Sequence, residues 1–262
     1  MKKSGSTPTP APHLPGRIGV RPSVRKRCAH LLSTSQPDSF AYAGRMSLPD
    51  RPVMHFLDEF GAISKTRNKL PHWQQGYCAC FVTFRLNDSI PADVLTRWNL
   101  ERKEWIGTHH KPWDLETEQA YHRRFSRFID RQLDDCRGQC LLRDPQNSDV
   151  VDQSLKHFDR ERYLLHCHVV MPNHLHVLVS VCPEVGLASV VSTWKRWTAT
   201  RIGRGIDRTG GIWQRDYFDR LIRDWDHFIN VARYIRNNPR KAGLPDGAYR
   251  LYEAPWIERL LG

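Results

Sequence analysis

His174-Leu175-His176 opens an apolar alternating run directly behind Met171-Pro172-Asn173. Successive side chains of a β-strand point to opposite faces. The two imidazoles therefore project the same way, roughly 7 Å apart, while Leu175, Val177 and Val179 project into a core. Two imidazoles on a rigid strand form a clamp for a divalent transition ion. Mn²⁺ or Zn²⁺ suits nitrogen donors better than Mg²⁺, which prefers oxygen, so the pair by itself leaves both the metal and the remaining ligands open.

A third donor is offered downstream. The segment from Trp225 to Asn238 carries Phe228, Val231, Ala232 and Ile235 at helical spacing, Asp224 is placed to cap its start, and Pro239 is expected to end it. Residues four apart share a helix face, so Tyr234 and Asn238 lie one above the other, away from the Ile235 stripe. If that face docks on the histidine strand, Asn238 can complete a metal site, and Tyr234 can reach a phosphodiester held on the ion. A phenol is a poor nucleophile at its ordinary pKa near 10, but a metal-polarised phosphorus and nearby cations ease its attack.

Taken alone, each feature has an ordinary structural explanation. A His-x-His pair is usually two core or surface histidines, and a helical tyrosine is usually a packing residue. The combination with an amide at the fourth position is what points to chemistry. Tyr217, behind Trp213-Gln214, is a second candidate phenol, but its fourth neighbour is Leu221, which cannot bind metal. His166 and His168 form another alternating pair on the neighbouring strand, leaving open a four-histidine zinc site with His168 across from His176. Cys78-x-Cys80 and Cys136-x-x-x-Cys140 fit the usual zinc spacings poorly.

Three linked stretches, Val169 to Leu178, Ile212 to Arg220 and Tyr234 to Leu244, together resemble the REP-associated tyrosine transposases, relatives of the single-strand insertion-sequence transposases of the His-hydrophobe-His class. The resemblance runs from about Leu70 to about Leu244. It implies a ferredoxin-like domain that binds a divalent ion, Mg²⁺ or Mn²⁺, and cleaves and rejoins single-stranded DNA beside hairpins of repeated palindromes. It implies His174, His176 and Asn238 as metal ligands and Tyr234 as the nucleophile, joined to a 5′-phosphate while a 3′-hydroxyl is released. Arg240 and Arg220 depart from the family's common apolar residue and histidine, without touching these four groups. A monomer is expected, with a dimer exchanging the tyrosine helix as the alternative. A domesticated protein that holds a DNA or RNA hairpin without cutting it is the competing function.

The composition agrees with an acidic polymer as partner. The chain of 262 residues has a formal net charge of +12, and the excess has two homes. One is the amino-terminal stretch with Lys2, Lys3, Arg17, Arg21, Arg25, Lys26 and Arg27, rich in proline and free of acids before Asp38. It reads as a disordered tail over residues 1–50, or as an extension upstream of a start nearer Met46 or Met54. The other surrounds the tyrosine helix, where Lys195, Arg196, Arg201, Arg215, Arg220, Arg223 and Lys241 are expected to meet phosphates and Trp213 to stack on a base. Seven cysteines without a scaffold spacing, and no apolar run long enough to span a bilayer, lead to the expectation of a reduced, cytoplasmic, nucleoid-associated protein.

These groups need a framework to position them. Strands are expected at Cys78 to Leu86, Tyr163 to Val170 and His174 to Cys182, the last two linked as a hairpin through Pro172-Asn173. Helices are expected from Pro91 to Gly107, Glu116 to Arg137 and Asn147 to Phe158, with another through Trp194. Together they give an α+β sandwich, an antiparallel sheet with helices on one face and the histidine pair on the open face or near its edge. The catalytic domain is expected over residues 51–250, with a short packing segment over 251–262. The glycines from Gly203 to Gly211 read as a flexible connection.

Overall fold

The computed structural model describes residues 52–58, 60–67, 71–110, 115–204 and 211–262. The basic tail, and most of the glycine-rich connection, lie outside them. Five strands, β3 (Ala79–Arg85), β4 (Tyr163–Val170), β5 (His174–Val181), β6 (Phe218–Leu221) and β7 (Arg250–Glu253), form one sheet in the order β6-β3-β5-β4-β7, with every pairing antiparallel. A smaller hairpin, β1 (Ser64–Arg67) and β2 (Pro71–Gln74), precedes them.

Between β3 and β4 run α1 (Ala92–Thr108), α2 (Leu115–Tyr121), a π-helical turn (His122–Ser126), α3 (Arg127–Asp134) and α4 (Pro145–Lys156). The long helix expected over 116–137 is thus broken by the π turn. After β5 come α5 (Leu187–Gly203), then β6, α6 (Trp225–Lys241), β7 and α7 (Pro255–Leu261). Strand, helix, hairpin, helix, strand over β3, α4, β4, β5, α5 and β6, with the spatial order β6-β3-β5-β4, is the ferredoxin-like split βαβ arrangement.

Alternation along the strands builds two cores. On one face Val82, Phe84, Leu165, Leu175, Val177 and Val179 pack with Val151 and Leu155 of α4 and Val190, Val191 and Trp194 of α5. On the other, Cys167, Val169 and Leu178 meet Phe228, Ala232 and Ile235 of α6 and Trp256 and Ile257 of α7. The pair α4/α5 supplies the expected one-sided helix layer. The opposite face, expected to be open, is roofed by α6 and α7, so the histidine pair is enclosed. Residues 250–253 belong to the sheet as its β7 edge, and α7 follows directly.

The roof is fixed by its ends. Asp224 caps α6 by accepting from the His227 backbone N–H at 2.7 Å. Pro239 does not stop the helix. Ala242 N–H still donates to the Asn238 carbonyl at 3.0 Å and Leu244 N–H to the Pro239 carbonyl at 3.0 Å, and the stop comes at Gly243, whose φ of 65° is the left-handed conformation that glycine adopts without strain. Arg236 forks onto both carboxylate oxygens of Glu253, tying α6 to β7.

Candidate active site

The imidazoles of His174 and His176 project from β5 toward α6, their ring centroids 4.8 Å apart, and both are buried. Asn173 orients the first. Its amide NH₂ donates to the Arg137 carbonyl at 3.2 Å, which turns its oxygen toward His174 Nδ1 at 2.7 Å. An amide oxygen only accepts, so Nδ1 carries the proton and Nε2 presents a bare lone pair. That Nε2 is buried without a partner. His176 is oriented by Thr83, directly across from it on β3, with Oγ1 at 2.7 Å from Nδ1. Its Nε2 faces the Tyr234 hydroxyl at 3.3 Å. Burial pushes His174 down to about 3, with Lys241 adding to the effect, and holds His176 well below the ordinary range. Both rings are neutral at physiological pH, the form that binds metal.

Asn238, one turn beyond Tyr234 on α6, acts on the Tyr234 phenol. It is buried, and neither its amide oxygen nor its nitrogen has a hydrogen-bond partner. It lies with the apolar stripe rather than away from it, because α6 lies face down on the sheet and Ile235, three residues earlier, points the same way. A buried polar atom without a partner costs about 1–3 kcal/mol. Here one imidazole lone pair on β5 and one amide on α6 are left unsatisfied, the amide acting on Tyr234, whose hydroxyl faces His176. A cation that accepts nitrogen and oxygen donors would satisfy both, so the residues fit a divalent ion. Among the described residues no three His, Cys, Asp or Glu side chains converge as a ligand set.

Tyr234 is held by rings. Phe81 stacks on His176 at 5.3 Å and meets Tyr234 edge-on at 5.9 Å. Burial, then the carboxylates of Asp130 and Asp134 on α3, push the phenol well above the ordinary tyrosine value. The Lys241 ammonium stands 5.8 Å from the Tyr234 ring centroid and bonds Asp134 at 2.7 Å. Asp130 itself is raised to about 6 by burial, with Lys241 acting against the rise. The phenol is therefore protonated at rest, with a cation within reach of its ring.

Tyr217, the rival phenol, is buried in the core on the α4/α5 side. Its ring stacks on His72 at 3.8 Å, and the His72 nitrogens bond Asp216 and Asp219. It cannot meet the imidazoles. Nor does the four-histidine site form. A bulge between Leu165 and Cys167 shifts the register, so Val169 pairs with His176 and His168 with Val177. His168 then bonds Asp152 of α4 at 3.0 Å, while His166 packs against Phe228 and Trp256 on the other side. Cys136 and Cys140 are free thiols, with Cys140 Sγ turned to the Cys136 carbonyl.

The residues expected to meet DNA divide. Trp213 is core: its Nε1 donates to Thr198 at 2.9 Å and its ring meets Phe84 edge-on. Lys195 spends its ammonium on the carbonyls of Gln214, Arg215 and Asp216, and burial lowers it to about 8. A cation beside a tryptophan in sequence reads as a binding patch, but here the pair fastens the 213–216 segment to α5. Arg196, Arg215 and Arg223 are exposed, and the Arg201 guanidinium lies over Trp197 at 5.3 Å. Arg220 and Lys241 stand on the imidazole side. Asn173, Thr83 and Phe81 were not singled out as functional in the sequence. Only the position of Asn173 immediately before the pair could have marked it.

Residues 146–238 match the family model described as Transposase IS200 like. An uncharacterized protein of Haemophilus influenzae (strain ATCC 51907 / DSM 11121 / KW20 / Rd) is 28% identical, over 27% of this chain and 51% of its own length, so the chain spans about half of that curated relative. A solved structure of a REP-associated tyrosine transposase bound to a REP hairpin is 15% identical, with a TM-score of 0.39 over 68% of this chain and 76% of that one. Among the described residues no helix is long and apolar enough to cross a membrane.

Proposed function

From the match of residues 146–238 to the family described as Transposase IS200 like, we propose that this protein cleaves and rejoins single-stranded DNA beside hairpins, with Tyr234 as the nucleophile. The observation that supports this most directly is the meeting, within one chain, of the Tyr234 hydroxyl with His176 Nε2 at 3.3 Å, beside the unpartnered His174 Nε2 and Asn238 amide. His174, His176 and Asn238 would hold a divalent ion, Mn²⁺ or Mg²⁺. When bound, that ion supplies a Lewis acid for a phosphodiester oxygen.

The chain's own groups do the rest. Asn173 and Thr83 fix the imidazoles in the orientation a ligand needs, as outer hydrogen-bond partners do in metal sites. Phe81 holds the phenol edge-on beside them. Tyr234 Oη forms the bond to phosphorus as the bond from phosphorus to the 3′-oxygen breaks, and the proton that the phenol releases to solvent is balanced by the one the departing oxygen takes up to leave as a hydroxyl. The product is a 5′-phosphotyrosine, which a 3′-hydroxyl can attack to rejoin the strand. Lys241, above the Tyr234 ring, opposes the charge that develops on the phenol oxygen.

The test is incubation with Mn²⁺ or Mg²⁺ and single-stranded hairpin oligonucleotides, followed by a search for a denaturation-resistant adduct. The adduct should form with wild type and Tyr217→Phe and vanish with Tyr234→Phe. An adduct that persists in Tyr234→Phe overturns the assignment. Tight hairpin binding with no adduct under any ion would favour the non-cutting reading instead.

A further inference from the structure

β6 is an edge strand, and its residues alternate between a buried face and an accessible one. On the buried side Tyr217 and Asp219 are clamped by His72, through ring stacking at 3.8 Å and a hydrogen bond. Phe218, between them, points the other way. It is 36% exposed, among the few large apolar side chains so exposed within the described residues. Its position is set by register. Phe218 pairs with Thr83 on β3, and Thr83 pairs with His176 on β5, so the three form one cross-strand row on one face. Two inter-strand spacings put Phe218 about 10 Å from His176. Arg220, two residues on and on the same side of the sheet, holds its guanidinium over the Phe218 ring, 5.6 Å from the centroid, so a base stacks on the ring's other face or in the place of the guanidinium.

From this row we infer that Phe218, flanked by Arg220, is a stacking platform for one unpaired nucleobase of the DNA strand whose phosphate lies at the histidine pair. The inference rests on the strand-cleavage reading above and adds a base-binding position to it. An aromatic face beside a guanidinium is the pairing that single-strand binders use: the ring takes the base by stacking, and the cation takes the adjoining backbone. A distance of about 10 Å corresponds to one or two nucleotides along an extended strand. The clamp behind it holds Tyr217 and Asp219, the residues on either side of Phe218 in the chain. Stacking is tolerant of base identity, so the platform selects an unpaired base over a paired one rather than one letter over another.

The experiment uses the full chain and a single-stranded hairpin oligonucleotide in which 2-aminopurine replaces one base at a time along the flank. Binding is followed by anisotropy, and stacking by quenching of the 2-aminopurine. Wild type should quench strongly at one position, within two nucleotides of the cleaved bond. Phe218→Ala should lose that quench and bind roughly tenfold to a hundredfold more weakly. Phe218→Tyr and Phe218→Trp, which keep a ring, should retain both. A Phe218→Ala protein that quenches and binds like wild type while still forming the Tyr234 adduct overturns the platform and leaves cleavage standing. If Phe218-dependent quenching occurs only with a ribo-oligonucleotide, the DNA assignment is wrong. If wild type binds none of the DNA probes and forms no adduct, the parent reading falls as well.

Discussion

Replacing Asn238 with leucine should stabilise the metal-free protein while removing its response to metal. Asn238 is 1% exposed, and its amide oxygen and nitrogen are both without partners. Each buried unsatisfied polar atom costs about 1–3 kcal/mol, and an apolar side chain of similar size removes that cost. The two atoms of Asn238 together suggest a gain of roughly 2–4 kcal/mol, taken from the lower part of that range because a leucine branch will not fit perfectly. For a domain of this size each kcal/mol moves Tm by about 2–4 °C, so the metal-free Tm should rise by roughly 5–15 °C. Wild type, by contrast, should gain about 2.7 kcal/mol from Mn²⁺ at a hundredfold excess over Kd, or roughly 5–10 °C. Calorimetric melts of both proteins, in chelator and in Mn²⁺, give the four numbers needed. If Asn238→Leu lowers the metal-free Tm, the amide is satisfied in solution and the argument from its isolation is wrong. If the variant keeps the full Mn²⁺ increment, the amide is not a ligand.

Three further outcomes follow from other parts of the fold. His166 is buried and held down to about 3 by burial, so the unfolded chain takes up its proton first as pH falls below 6.5, and stability should fall by about 1.4 kcal/mol per pH unit between 6.5 and 3. Urea midpoints of His166→Leu should show a shallower acid limb, and an unchanged limb would refute the assignment. His72 has the opposite sign: burial opposes its charge, but Asp219 and Asp216 outweigh this and raise it, so its contribution is full below 6.5 and lost as pH rises through the folded value. His72→Leu should be less stable than wild type at pH 6 and show a flatter alkaline limb; equal stability at pH 6 would mean that the clamp contributes nothing. Arg236→Met leaves Glu253, 9% exposed at its side chain, without its fork, and should cost roughly 2–3 kcal/mol, below the usual cost of breaking a buried pair because Arg236 is a quarter exposed. A chemical-denaturation difference under 1 kcal/mol would show the fork to be dispensable.

Several features were legible from the order of residues alone. The period-two pattern from His174 onward fixed both that a strand forms and that its two imidazoles share a face, because pleating is a local property. The spacing of Phe228, Ala232 and Ile235 with Asp224 before them fixed a capped helix that carries Tyr234 and Asn238. Other features depend on partners far away in the chain, and no local pattern encodes them. Phe218 to Leu221 and Arg250 to Glu253 are four-residue strands whose hydrogen bonds come entirely from β3 and β4, so each reads as loop until its neighbour is present. Trp213 and Lys195 look like a binding patch by composition, and only the docking of residues 213–216 on α5 turns them into core and fastener.

The division at the centre of the molecule is the same. The chain by itself settled which chemical groups are available and which of them stand on a common strand or a common helix face, since φ and ψ preferences act over a few residues. Tertiary packing decided that α6 lies across the imidazole side of the sheet, that the bulge after Leu165 sends His168 away from it, and that His174 and Asn238 are left buried without partners. Those outcomes follow from where apolar surfaces of distant segments find each other, which is a property of the whole fold.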